Sequence, residues 1–138
     1  MKSETTPAGL ILQRFEDLKI GNFSALYASY HAQSPFLQQF LQLEDYVEFA
    51  AQSLAGLSPL EVQTGPSRDS GEGVEVICMM VFELNGSQQT LYELALLLPT
   101  EDGWRYHSAQ KLTPEDFGGA FSGLDFSHFD QQAIKVRF

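Results

Sequence analysis

The sequence predicts a single α+β domain, three N-terminal helices packed on an antiparallel sheet of about four strands. Three observations carry this. Apolar residues recur at helical three-and-four spacing up to Leu57, then at a period near two from Leu60 onward. Asn85-Gly86 stands between two long β-rich runs, the strongest local hairpin signal in the chain. The 138 residues, 43% hydrophobic and 12% aromatic, suffice for one core but not for two. The expected layout is one domain over 1–138, with its core at about 8–112 and an aromatic, Gly-rich covering tail at 113–138.

Pro7 sits where a helix can begin, and Leu10, Ile11, Arg14, Phe15 and Leu18 line one face of it before Gly21 ends it. Asn22 can cap a second, shorter helix with Phe23, Leu26, Tyr27 and Tyr30 inward, because its side-chain oxygen accepts an unpaired first-turn amide. Ser34-Pro35 repeats that start for a short turn through Phe40. Glu44 to Leu57 reads as a third helix with Val47, Ala50, Ala51, Leu54 and Leu57 inward.

Leu60 to Thr64 is the first strand, and Pro66 to Gly73 reads as a solvated turn. Val74 to Leu84 and Gln88 to Leu98 flank a type I′ turn at Asn85-Gly86, and Trp104 to Leu112 completes a four-strand meander. Val76 to Phe82 and Leu94 to Leu98 are apolar at both parities, whereas a sheet with one wet face alternates. A second cover is therefore expected, either a partner subunit or the tail that carries Phe117, Phe121, Leu124, Phe126, Phe129 and Phe138.

With 18 acidic and 8 basic side chains the net charge is -10, the wrong sign for a nucleic-acid backbone or an anionic membrane. No run approaches the roughly 20 apolar residues of a membrane span, and the N-terminus has no signal-peptide pattern. One cysteine, Cys78, forms no intrachain disulfide, and no Cys/His spacing suits zinc, so a cytoplasmic protein without cofactor or metal is expected. Gly71-Glu72-Gly73 lacks the rest of a phosphate-binding loop.

Arg14-Phe15, the Gly21-Asn22-Phe23 corner, Tyr30-His31, and Glu93 eleven residues before the Trp of Gly103-Trp104-Arg105-Tyr106 form a loose pattern. Over Leu10 to Leu112 it resembles the YchJ-like domain of the NTF2-like superfamily. The chain departs from that family in having no Cys-x-Cys-Gly of the SEC-C segments at either end. The resemblance implies a cone in which a curved sheet wraps helices and leaves a pocket at its open end. Relatives use such a pocket as enzymes, binding modules or dimerisation domains, so fold does not decide function.

Glu93 is the most informative residue, because a carboxylate inside an apolar strand must find a hydrogen bond, a cation or a proton. Counting from Asn85-Gly86 places it opposite Cys78. A three-residue loop at Glu101 to Gly103 places it opposite Lys111, with His107 opposite Leu97, whereas a two-residue Asp102-Gly103 turn shifts that register by one. Glu93 is then a pocket base or ligand anchor, or else a structural pair. His31 follows Tyr30 at a helix end, where an imidazolium suits the helix dipole, or it moves protons beside Tyr27 or Tyr30. Tyr46, Phe49, Trp104 and Tyr106 are core or pocket aromatics, and Cys78, in a buried strand, is a poor nucleophile.

The residues taken with the resemblance lead to the expectation of a non-catalytic NTF2-like binding domain whose site draws on Tyr27, Tyr30, His31, Tyr46, Glu93, Trp104 and Tyr106, with a small molecule or protein as partner and a homodimer as assembly. The alternative is a cofactor-free acid/base enzyme of isomerase, dehydratase or hydrolase type that uses Glu93 or His31. No motif specifies a reaction.

Overall fold

A computed structural model of the chain describes residues 6–40 and 42–131; Phe138 of the expected tail lies outside them. The elements follow one another as α1 (Pro7–Ile20), α2 (Phe23–Ala28), α3 (Leu43–Ser53), β1 (Leu57–Asp69), β2 (Val74–Leu84), β3 (Ser87–Thr100), β4 (Gly103–Leu112) and α4 (Phe126–Asp130). Single 3₁₀ turns occupy Leu37–Gln39 and Phe121–Gly123. The architecture is α+β, with an open antiparallel sheet in the order β1-β2-β3-β4.

The helix boundaries have local causes. Thr6 accepts the Gly9 amide with its hydroxyl, Pro7 opens the first turn, and Gly21 ends α1 in the left-handed conformation at φ 75°. The Asn22 side chain accepts the Ala25 amide and starts α2. The third helix is shorter than its apolar spacing suggests: it stops at Ser53, and Leu57 opens β1. Its buried face is Tyr46 and Ala50, while Ala51 is exposed.

The first strand is much longer than Leu60 to Thr64. It runs straight through Gly65-Pro66, and the turn narrows to the residues after Asp69. Both proline positions coincide with breaks in the β1–β2 ladder, at Pro59/Glu61 and at Thr64/Ser67. A proline lacks the amide a ladder needs, and an edge strand with bulges tolerates that loss. Asn85 and Gly86 take the positive φ values, 53° and 88°, that a type I′ turn demands.

Glu93 stands opposite Cys78 on one side and Lys111 on the other, as the strand counting allows. The route to the second pairing differs from the three-residue loop. Thr100 pairs with Gly103 and Leu97 with Tyr106, so His107 does not face Leu97; the ladder slips between Leu96 and Leu97 with His107 as the extra residue, and this bulge restores Glu93 to Lys111.

The helices cover one sheet face, where Leu10 and Ile11 pack on Val76, Ala95, Leu97, Tyr106 and Ala109. The tail covers the other. There Ile77, Tyr92, Leu94 and Leu112 meet Phe117, Phe121, Leu124, Phe126 and Phe129. The helices are thus not all N-terminal, since the tail folds its own α4, capped by Asp125. Gln110 donates to the Phe129 carbonyl at 2.7 Å, and Arg68 bonds both carboxylate oxygens of Asp130 at 2.9 Å. Arg68 also pairs with Glu75 at 2.7 Å and lies over the Phe126 ring, 4.5 Å from its centroid. Two carboxylates raise the Arg68 pKa, Asp130 most and Glu75 next.

Candidate functional site

Between the helices and the sheet lies a cavity of about 320 Å³. Most of its wall is hydrocarbon, with Phe15, Leu18, Leu26, Leu57, Val62 and Met80 among the contributors. Its polar groups come from five elements and one connection: Arg14 of α1, Tyr46 of α3, Cys78 of β2, Glu93 of β3, Tyr106 of β4, and Tyr30 just after α2. An apolar chamber with a few polar groups is the usual construction of a small-molecule site.

Arg14 is the hub. Its guanidinium carbon stands 4.0 Å from the Tyr106 ring centroid and 4.6 Å from that of Tyr30, and the two rings meet edge to face at 5.7 Å. One terminal nitrogen donates to the Ser29 hydroxyl and the other reaches the Tyr30 hydroxyl at 3.5 Å. Burial works against this charge, but Tyr30 and Tyr106 outweigh it and hold the Arg14 pKa above its usual value. Among the described residues no carboxylate lies within 4.0 Å of the guanidinium.

Main-chain bonds fix this corner. The Tyr106 amide donates to Ser29 O and the His31 amide to Tyr106 O, both at 2.8 Å, so the residues after α2 pair in parallel with β4. The Tyr106 hydroxyl donates to Glu93 Oε1 at 3.2 Å. Burial, then the Glu93 charge, raises the Tyr106 pKa well above that of a free phenol. The same two causes raise the Cys78 thiol, which leaves it a poor nucleophile. Burial lowers the Lys111 pKa while Glu93 opposes the shift. Burial and Tyr30 push Tyr46 up to about 12.

Of the residues expected to form a site, Tyr30, Tyr46, Glu93 and Tyr106 meet on this wall, with Phe49 also contributing to it. Tyr27 stands behind it: its ring lies 5.4 Å from that of Tyr46 and its hydroxyl donates to Phe40 O. His31 is on the β4 side, its Nδ1 accepting the Gln33 amide and its ring 6.2 Å from His107. Trp104 borders a second, more open depression beside the β1–β2 turn, which shares no residue with the cavity. Among the described residues no three His, Cys, Asp or Glu side chains gather as a metal site, and no helix is long and apolar enough to cross a membrane.

The polar residue of this wall that the sequence-based site expectation leaves out is Arg14. It falls on the inward face of α1 in the spacing Leu10, Ile11, Arg14, Phe15, Leu18. A cation in an apolar stripe is the signal, since burying it requires partners prepared elsewhere in the fold.

No family model matches the chain, and no curated protein matches it in sequence. Solved structures do share its fold. RPA3114, a SEC-C motif containing protein from Rhodopseudomonas palustris, superposes with a TM-score of 0.62 at 14% identity, over 79% of this chain and 80% of that one. Aln2 from a Streptomyces species superposes with a TM-score of 0.55 at 12% identity, over 78% of this chain and 88% of that one. At such identities the likeness is one of fold.

Proposed function

We propose that this chain is a small-ligand-binding domain of NTF2-like, YchJ-like build, and that its ligand occupies the cavity between helices and sheet. The observation that carries this reading is the wall itself: about 320 Å³ lined mostly by hydrocarbon, with Arg14, Tyr30, Tyr46, Glu93 and Tyr106 among its polar groups. That volume falls at the lower end of the roughly 300–1,000 Å³ typical of ligand sites. A chamber bounded on two sides suits a small molecule better than a protein surface. The tail already occupies the sheet face that a second subunit would otherwise cover, so the reading holds for a monomer or a homodimer. A single buried cysteine is compatible with a reducing cytoplasm.

The test is a binding screen read by methyl and amide chemical shifts on the wild type and on Leu57→Trp, a variant that fills the cavity. Compounds that shift Val62 and Met80 in the wild type and lose their effect in Leu57→Trp support the reading. Compounds whose shifts map only to other surfaces, or survive Leu57→Trp, overturn it.

One observation favours an acid/base enzyme as a second reading. Glu93 is on the cavity wall and holds the Tyr106 hydroxyl at 3.2 Å, so a carboxylate base and a phenol able to steady an oxyanion stand side by side. Glu93→Gln keeps the shape and removes the base. Turnover of a cavity-bound compound that persists in Glu93→Gln eliminates this reading.

A further inference from the structure

Two polar groups on the cavity wall, the half-buried Arg14 and the buried Tyr46, lack the partners that an apolar wall calls for. Arg14 carries a full charge between two aromatic rings, bonded to neutral hydroxyls and, among the described residues, to no carboxylate. Tyr46 is 4% exposed, yet among the described residues its hydroxyl makes no hydrogen bond. Buried polar groups are nearly always satisfied, and a guanidinium is best satisfied by the two oxygens of a carboxylate. The two sites are neighbours: the Tyr30 ring lies 5.7 Å from Tyr106 and 6.3 Å from Tyr46, and Arg14 and Tyr46 act on each other electrostatically.

We propose that the ligand is an amphipathic carboxylic acid whose carboxylate accepts from the Arg14 guanidinium and the Tyr46 hydroxyl while its hydrocarbon body lies against Leu26, Leu57, Val62 and Met80. This rests on the ligand-binding reading above and names its ligand class. The chemistry of the wall supports each part. A carboxylate supplies enough lone pairs for both donors, and at neutral pH it is a pure acceptor. Glu93 already holds the Tyr106 hydroxyl, so the negative charge on the wall and the position for a second anion are held by different groups. The apolar remainder excludes a polyanion such as a nucleotide, whose further charges would meet hydrocarbon and Glu93.

The experiment compares acids with neutral compounds of the same shape, naphthoic acid with naphthamide and octanoic acid with octanol, by calorimetry near pH 7. In parallel the Arg14 Nε–H resonance and the wall methyls are followed. The acids are expected to bind at least about tenfold tighter than their neutral counterparts and to shift the Arg14 resonance. Tyr46→Phe removes one donor and no charge, so the fold is retained and acid binding weakens about three- to tenfold; Arg14→Met brings the acid-to-neutral ratio close to one. Equal binding of acids and neutral compounds, with wall methyls shifting for both, overturns the carboxylate inference and leaves the cavity as a binding site. An acid preference that persists in Tyr46→Phe without any Arg14 shift overturns the assignment to these two residues. Failure of every probe to shift the wall counts against the ligand-binding reading as well.

Discussion

The Tyr106 hydroxyl reaches Glu93 although the two residues are not ladder partners: Tyr106 pairs with Leu97 and Glu93 with Lys111. Between those two pairs, on the same face, lies Ala95 opposite Ala109, and both are fully buried. A pair of one-carbon side chains leaves the space that the phenol crosses. The bulge at His107 is what puts Tyr106 on the same face as Ala109 and Lys111.

Ala109→Val therefore obstructs the ring and misplaces the hydroxyl. We expect a loss of about 1–3 kcal/mol from overpacking and a change in the environment of Glu93. Tyr106→Phe, which removes only the hydrogen bond, costs about 1 kcal/mol. Urea unfolding of the two variants checks the order; an Ala109→Val protein as stable as the wild type would refute the packing argument.

How much of this was legible in the sequence depended on whether the cause was local. Asn85-Gly86 specifies its own turn through the backbone freedom of two residues, and the pairing of Glu93 with Cys78 follows by counting from it. Thr6, Gly21 and Asn22 act within one helical turn, and the two that end α1 and begin α2 were equally readable. The continuation of β1 through Pro66 was not, because it depends on β2 holding an edge strand across two bulges. Nor was the His107 bulge, which lies where Ser29, His31 and Ser34, far off in sequence, bond the main chain of Tyr106 and His107. At the site, the inward position of Arg14 was visible, but its surroundings were not: Tyr30 and Tyr106 converge on it from 16 and 92 residues away in sequence.

The tail adheres through one filled socket. Phe129 is completely buried against the second sheet face, and its carbonyl accepts from buried Gln110. Phe129→Ala should cost about 3–5 kcal/mol, the range for emptying a phenylalanine site. A loss below about 1 kcal/mol in equilibrium unfolding would mean that the tail packs without contributing to the fold.

Arg68 provides the polar half of that attachment by joining β1, β2 and α4. Arg68→Met keeps much of the stem and removes two ion pairs, of which the one to the 9% exposed Glu75 side chain matters more than the exposed one to Asp130. The expected order is a loss of about 1–3 kcal/mol for Arg68→Met and under about 1 kcal/mol for Asp130→Asn. Hydrogen exchange should quicken first at the amides of α4. Equal losses in the two variants would place the weight on Asp130 instead.

The tyrosines set the alkaline limit of the fold. Tyr46 is pushed up to about 12, by burial first, and Tyr106 is raised by burial and Glu93, whereas an unfolded tyrosine ionises near 10. Above about pH 10 the folded chain thus holds protons that the unfolded chain has released, and stability falls as pH rises through the folded values. For Tyr46 that is on the order of 2–3 kcal/mol, fully present below about pH 10 and lost by about pH 12. Lys111 acts in the opposite sense: its lowered pKa means that the unfolded chain binds the extra proton up to about pH 10.4, so stability gains there as pH rises. The expected profile is flat or gently rising up to about pH 10 and steeply falling beyond it. The tyrosinate absorbance of Tyr46 and Tyr106 should then appear only together with unfolding. Tyr46→Phe should make the fall shallower; a single stage near pH 10 in a chain that stays folded would show that neither phenol is shielded.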